Sequence, residues 1–184
     1  MVLSDQEIWE ELQKKRIVIK PFPLRNFDDF TKRVVGHTAD LLLDRELILL
    51  KPNTNISITP VDVNKTIADL GKPKNLKAGQ SYELKPNEFV IGHTKEIITL
   101  PDDIAGRVEG RSSLARLGLV VHMTAPTIHP GYNSNITLEI CNFGPYKIKL
   151  ESGMRIAQII FERLGKSAKN VYKGFAQTRI KTVR

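Results

Sequence analysis

Glu109-Gly110-Arg111-Ser112-Ser113-Leu114-Ala115-Arg116-Leu117-Gly118-Leu119 places two arginines, two serines and two glycines within one short stretch, directly behind a strand-like run from Ile104 to Val108. Arginine presents a rigid fork of donors to an oxyanion, and serine adds a compact hydroxyl. The glycines permit tight turns and close backbone approach. The combination suits gripping a phosphate or polarising a small reactive group. Downstream, Ile136-Thr137-Leu138-Glu139-Ile140-Cys141-Asn142 carries a lone carboxylate inside an apolar strand pattern.

Working outward from this stretch, strands dominate. Leu41 to Leu50 is apolar around Asp44, Arg45 and Glu46, which predicts two short strands about a turn. Tyr82 to Leu84, Phe89 to His93, Glu96 to Leu100, Leu119 to Met123, Ile136 to Asn142, Tyr146 to Leu150 and Ile156 to Phe161 continue the β pattern. Pro130-Gly131, Gly144-Pro145 and Ser152-Gly153 punctuate the later strands. Ser112 to Leu117 fits one or two helical turns. Asn53 to Pro60 and Gly71 to Gly79 have loop composition. At the start, Ser4 and Glu7 form a capping box for a short helix with an Ile8, Trp9 and Leu12 stripe. Ile17 to Ile19 then reads as a short strand. Many short strands with such turns favour an all-β sandwich, jelly roll or related barrel. No linker, internal repeat or low-complexity tract divides the chain.

At 184 residues the chain is long enough for one domain with a real core, and its 41% hydrophobic and 26% charged content is that of a soluble globular protein. Cys141 is the only cysteine, so no intrachain disulfide forms and a cytoplasmic setting is expected. The N-terminus lacks a secretory signature, and no apolar run reaches membrane-spanning length. The formal charge of +8 is compatible with an anionic substrate, non-specific nucleic-acid binding or simple solubility. Seven lysines and arginines and no acid lie between Arg163 and Arg184. No aromatic-interleaved strand or basic recognition helix accompanies them, so a stable nucleic-acid partner is not expected. Walker and Rossmann glycine signatures are absent. His37, His93, His122 and His129 are scattered without zinc spacing, and one cysteine cannot supply a Pro-Cys-x-x-Cys pair.

The segment from Leu100 to Leu164 resembles the dCTP deaminase branch of the trimeric dUTPase-like superfamily. The resemblance is carried by Gly110 to Leu119 as quoted, and by Thr124-Ala125, Pro130-Gly131-Tyr132, Thr137-Leu138-Glu139 and Gly153-Met154-Arg155-Ile156. The opening helix and Gly36-His37-Thr38-Ala39-Asp40-Leu41 add a looser match. The resemblance implies an all-β, distorted jelly-roll (β-clip) dUTPase-like fold with a short N-terminal helix. It implies one such domain over residues 1–184, with a basic tail from about 165. It further implies a homotrimer with sites shared between subunits, and magnesium carried on the substrate triphosphate. The small-molecule ligands implied are dCTP with dUTP or dTTP, and no membrane is involved.

By the same resemblance, Glu139 is the proton shuttle that activates water and helps ammonia leave from C4 of cytosine. Arg116 and Ser112 stand around that water and the reacting base. Arg111 and Ser113, with Ser112, fall to the nucleotide phosphates. Met123, Thr124 and Ala125 form a wall that reads the pyrimidine, with Ala125 small beside the reacting carbon. His129 lies toward the sugar, Tyr132 is a further nucleotide-binding residue, and Tyr172, Lys173 and Arg179 belong to a tail that closes over the triphosphate.

Departures accompany the matches. His129 stands where many relatives carry an aspartate that, in dUTP-hydrolysing members, positions the attacking water, so the departure bears first on dUTP hydrolysis. Phe175 and Arg179 stand where a lysine and a glutamine are usual in the tail, and Asp44 where glycine is common. Three readings stay open: a dCTP deaminase with or without diphosphatase activity, a dUTP diphosphatase alone, and a nucleotide-binding regulator without catalysis. The Thr137-Leu138-Glu139 carboxylate favours the first, because simple dUTPases generally have an apolar residue there.

Overall fold

The computed structural model describes residues 1–52, 54–56, 67 and 69–173. The capping box forms as the sequence predicts. Ser4 accepts from the Glu7 N–H and Glu7 returns a carboxylate to the Ser4 N–H, opening helix α1 (Asp5–Gln13). Strand β1 (Val18–Lys20) and helix α2 (Phe27–Thr31), capped by Asn26, follow. The strands are then β2 (Val34–Val35), β3 (Thr38–Leu42), β4 (Glu46–Leu50), β5 (Gly71–Asn75), β6 (Ser81–Leu84), β7 (Phe89–Thr99) and β8 (Ile104–Gly110). Helix α3 (Ser112–Ala115) leads into β9 (Leu119–Val120), β10 (Thr127–Ile128), β11 (Asn133–Asn142), β12 (Ile148–Glu151) and β13 (Arg155–Arg163).

The strands assemble into two main antiparallel sheets. One runs β5-β4-β7-β11-β9 with β1 also on β7, and the other β10-β8-β13-β3-β2; β12 and β6 form a separate ribbon. Alternation sets the inward faces. Ile136, Leu138 and Ile140 of β11 and Ile104 and Val108 of β8 are buried, as are Ala39 and Leu41 of β3. Together with Leu3, Ile8, Ile17, Phe30, Leu47 and Phe161 they form one continuous core.

Three local expectations change. Gly71 to Asn75 is a strand rather than a loop. Among the described residues it lies at the sheet edge and pairs with β4 alone, where Pro73 and the lysines at 72 and 74 are tolerated and discourage further pairing. The two strands expected between Phe89 and Leu100 are one strand, β7, which carries a register shift against β11 at Thr94 to Glu96, where the Thr94 hydroxyl accepts from the Ile136 N–H at 2.9 Å. Thr127–Ile128, which has no strand signal of its own, becomes one by pairing with β8.

The N-terminal helix and the segment that follows β13 are tied to this frame. Glu11, Arg16, Asp103 and Arg163 form a closed ring of ion pairs at 2.7–3.5 Å. Burial raises the Glu11 pKa, but the hydrogen bonds from Arg163 and Arg16 outweigh it and hold the carboxyl below its ordinary value. Beyond β13, the N–H groups of Leu164, Ala168 and Tyr172 donate to the carbonyls of Asp103, Asp102 and Pro130, each at 2.8 Å. The start of the basic tail is thereby led from one turn to the next.

Candidate active site

Two groups of side chains take shape. The first gathers on the outer face of the β8-β13-β3 sheet. Register places Gln158 opposite both Glu109 and Asp40, so one face of three strands carries polar groups across from an apolar interior. Asp40 is 5% exposed, a position whose carboxylate needs paired donors. It has them. Arg155 Nη1 lies 3.1 Å from Oδ2, Gln158 Nε2 lies 3.1 Å from Oδ1, and Arg111 Nε lies 3.4 Å from Oδ1. Arg155 also donates to the Lys32 carbonyl at 3.0 Å, and Arg111 to the Arg155 carbonyl at 3.3 Å. Two guanidiniums meet one carboxylate, so the cluster keeps a net positive charge. Both arginine side chains remain partly exposed, 27% for Arg111 and 46% for Arg155, leaving donors for an anion.

Arg111 opens α3, and the motif then runs along the surface. Ser112, Ser113, Ala115 and Arg116 are all exposed. The motif is fastened at its far end by backbone contact. Gly118 has φ +89°, and a Cβ there would lie 2.2 Å from the Gly144 nitrogen. The Phe143 N–H donates to the Gly118 carbonyl at 2.8 Å. The turn beyond is shaped by the fully buried Asn142, which donates to the Leu84 and Tyr146 carbonyls and accepts from the Gly144 N–H. Strand β9 pairs Leu119 and Val120 with Asn142 and Cys141 on β11. The motif is thus joined to the strand that carries Glu139.

Glu139 faces away from the core side of β11, since Leu138 and Ile140 are buried beneath it. It lies opposite Ile91 and is partly exposed. Among the described residues neither Glu139 nor Arg116 takes part in an ion pair. The two are not joined within one chain.

The second group surrounds the Pro130-Gly131 turn. The Tyr172 ring is near-parallel to those of Tyr132 and His129, with centroids 5.7 and 6.2 Å away. Gly131 permits this docking, because a Cβ there would come within 2.8 Å of the Tyr172 carbonyl oxygen. The Tyr132 hydroxyl donates to the Asn135 carbonyl at 2.6 Å, and burial, with Tyr172 beside it, pushes its pKa up to about 12. Met123, Thr124 and Ala125 are exposed between β9 and β10, held to β8 by the Val108 N–H on the Pro126 carbonyl at 2.8 Å. Lys173 is exposed next to Tyr172, and Arg179 lies outside the described residues.

Sequence reasoning thus picked out Arg111 but not the partners that organise it. Asp40 and Arg155 lie inside stretches that carry the family resemblance, yet neither was singled out as a site residue. Gln158 had a signal of its own: a polar side chain interrupting the apolar run from Ile156 to Phe161. Among the described residues no hydrogen bond, ion pair or ring contact links the Asp40 cluster to the His129-Tyr132-Tyr172 stack.

Comparison with known proteins places these features in a wider set. Residues 2–164 match the family model described as dCTP deaminase-like. A protein of Dictyoglomus turgidum named dCTP deaminase, dUMP-forming, is 38% identical over 94% of this chain and 85% of its own length. A Mycolicibacterium smegmatis protein of the same name is 40% identical over 94% of this chain and 86% of its own. Among solved structures, 2'-deoxycytidine 5'-triphosphate deaminase from Agrobacterium tumefaciens superposes with a TM-score of 0.67 at 22% identity, over 89% of this chain. This chain spans about half of that one, 48%. The structural likeness bears on fold and agrees with the expected all-β dUTPase-like architecture.

Proposed function

The chain belongs to the dCTP deaminase-like family, and from that membership we propose that it deaminates dCTP and goes on to release dUMP. In the first step water adds to C4 of the cytosine ring, ammonia leaves, and dUTP forms. In the second, water cleaves the bond between the α- and β-phosphates, giving dUMP and diphosphate. The observation that carries the deaminase reading is Glu139 in Thr137-Leu138-Glu139, and it is supported by relatives that match 94% of the chain and bear the deaminase name. The dUMP-forming step rests on those same names. It is retained although His129 departs from the expected aspartate, since a neutral imidazole also accepts a proton.

In this reading Glu139 takes a proton from the attacking water and returns one to the departing nitrogen, one carboxyl acting as base and then acid. Arg116 and Ser112 orient the water and steady developing charge. Arg111, with Asp40, Arg155 and Gln158 around it, grips phosphate, aided by Ser112 and Ser113. Met123, Thr124 and Ala125 face the pyrimidine, and His129 and Tyr132 the sugar. Magnesium enters with the substrate, bound to the triphosphate. Among the described residues no group of three or more His, Cys, Asp or Glu side chains is arranged to hold a resident ion.

The protein acts as a homotrimer with shared sites. Support comes from Glu139 and Arg116, neither of which takes part in an ion pair among the described residues, and from the exposed apolar side chains of Leu117, Met123, Phe143 and Tyr146 in the stretches that follow them. Residues 1–184 form one dUTPase-like domain that works in the cytoplasm on dCTP and dUTP, with dTTP as a further ligand. No described helix is long and apolar enough to cross a membrane.

Incubation of pure protein with dCTP and magnesium, with ammonia, dUTP, dUMP and diphosphate followed separately, tests both steps. Ammonia and diphosphate in equal amounts are expected. Ammonia with accumulating dUTP removes the second step, and diphosphate from dUTP without ammonia from dCTP removes the first.

The tail offers a second test. Tyr172 is docked at the Pro130-Gly131 turn, so the chain beyond it departs from beside the proposed sugar site. Lys173 and Arg179 then supply charge to the triphosphate. A protein ending at Tyr172 keeps the stacked ring and loses Lys173 and Arg179 together with Lys181 and Arg184. Its affinity for dCTP is expected to fall about tenfold, as for lost charge-assisted contacts, while uncharged deoxycytidine binds as before. Equal loss for both ligands would assign the tail a packing role.

A further inference from the structure

Behind the Asp40 cluster lies a second charged pair, which meets that cluster through the Asp40 main chain. Glu96, on β7 of the opposite sheet, is fully buried, and Arg33 is nearly so, with its side chain 11% exposed. Arg33 Nη2 lies 2.6 Å from Glu96 Oε1 and also donates to the Asp40 carbonyl. The Asp40 N–H in turn donates to the Arg33 carbonyl at 2.7 Å. One residue therefore holds the Asp40 main chain on both sides.

The other Glu96 oxygen accepts from the Leu42 N–H at 2.9 Å. Leu42 sits where the β3–β13 ladder is irregular: Arg155 pairs with Leu42 but Ala157 with Leu41. Ile156 is the residue left out of the pairing, and the guanidinium of the neighbouring Arg155 reaches Asp40 and the Lys32 carbonyl next to Arg33. Glu96 supplies the acceptor that the irregular ladder does not.

Such a pair is a poor route to stability alone, since desolvating two charges offsets much of their attraction. Arg33 Nε is also buried without a hydrogen-bond partner among the described residues, a cost an apolar pair would avoid. We propose that Arg33 and Glu96 are positioning residues for the anion-gripping cluster: together they hold β3 so that the Asp40 carboxylate aims Arg111 and Arg155 at the substrate phosphates. This rests on the reading of Arg111 as a phosphate ligand.

The test is equilibrium binding of dCTP and of uncharged deoxycytidine, measured by calorimetry in a Glu139→Gln background so that dCTP is not consumed. The double variant Arg33→Met/Glu96→Gln removes both charges while keeping an acceptor for the Leu42 N–H. Its dCTP dissociation constant is expected to rise about tenfold, or about 1.4 kcal/mol. Deoxycytidine affinity should stay within about twofold and the melting temperature within a few degrees. Glu96→Gln alone is the second variant, decisive if the double variant does not fold, with a selective loss of about threefold expected. Equal weakening of both ligands, or no change in either, overturns the proposal. Arg111→Ala separates it from its premise. If that variant also binds both ligands in the wild-type ratio, the phosphate reading fails and the positioning role falls with it. If it loses dCTP selectively while the Arg33 and Glu96 variants do not, only the positioning role is lost.

Discussion

Glu139→Gln is expected to lower ammonia release from saturating dCTP by a hundredfold to about ten-thousandfold, the span usual for losing a positioned general acid–base group. Glutamine keeps the size of the side chain and most of its hydrogen-bonding shape, but it cannot take a proton from water and pass one to the leaving nitrogen. The exchange is gentle on the fold. Glu139 stands on the outer face of β11, partly exposed and without an ion pair among the described residues, so no buried partner is stranded. The melting temperature and most of the dCTP affinity should therefore persist. A direct ammonia assay beside a dCTP titration reads both quantities. Near-wild-type turnover in the folded variant would remove Glu139 from the reaction and, with it, the main argument for deamination over a pure dUTPase.

The largest structural effect is expected at Gly118. Alanine there meets two penalties. At φ +89° any side chain is strained, and the new Cβ would sit 2.2 Å from the Gly144 nitrogen and 2.4 Å from its Cα. Those are backbone atoms and cannot swing aside. Gly153 provides the control, because it has φ +86° with nothing within 4 Å of the place a methyl group would take. Gly153→Ala should cost about 1–2 kcal/mol through the backbone alone. Gly118→Ala adds the clash, for a total of about 3 kcal/mol or more. At about 2–4 °C per kcal/mol for a chain of this size, the two melting temperatures should fall by roughly 5 °C and roughly 10 °C. Equal losses would mean that the Gly118–Gly144 crossing is not tight. Activity should fall further in Gly118→Ala, since the displaced segment carries Arg116 and leads into β9.

Some features were legible along the chain because their causes are local. The Ser4–Glu7 capping box needs residues only three apart. Alternation in Ile136 to Ile140 marks which side of the strand is buried, and so leaves Glu139 on the outer side. The deaminase reading likewise came from contiguous strings, Gly110 to Leu119 and Thr137 to Glu139. Strand status in Gly71 to Asn75 was not legible, since Lys72, Pro73 and Lys74 become a strand only through the neighbour they find in β4.

The sequence by itself determined the family, the all-β class, the proton-shuttle candidate and the candidate phosphate-binding arginine, Arg111. Each is written in residues close together, where propensity, periodicity and motif act over a few positions. Only the tertiary structure decided what holds that arginine. Asp40 reaches Arg155 across 115 positions, and Arg33 reaches Glu96 across 63. No periodicity encodes such pairs. They arise because closing two sheets over one core brings β3, β8 and β13 side by side and sets β7 behind them, and each buried charge there must find its counter-charge.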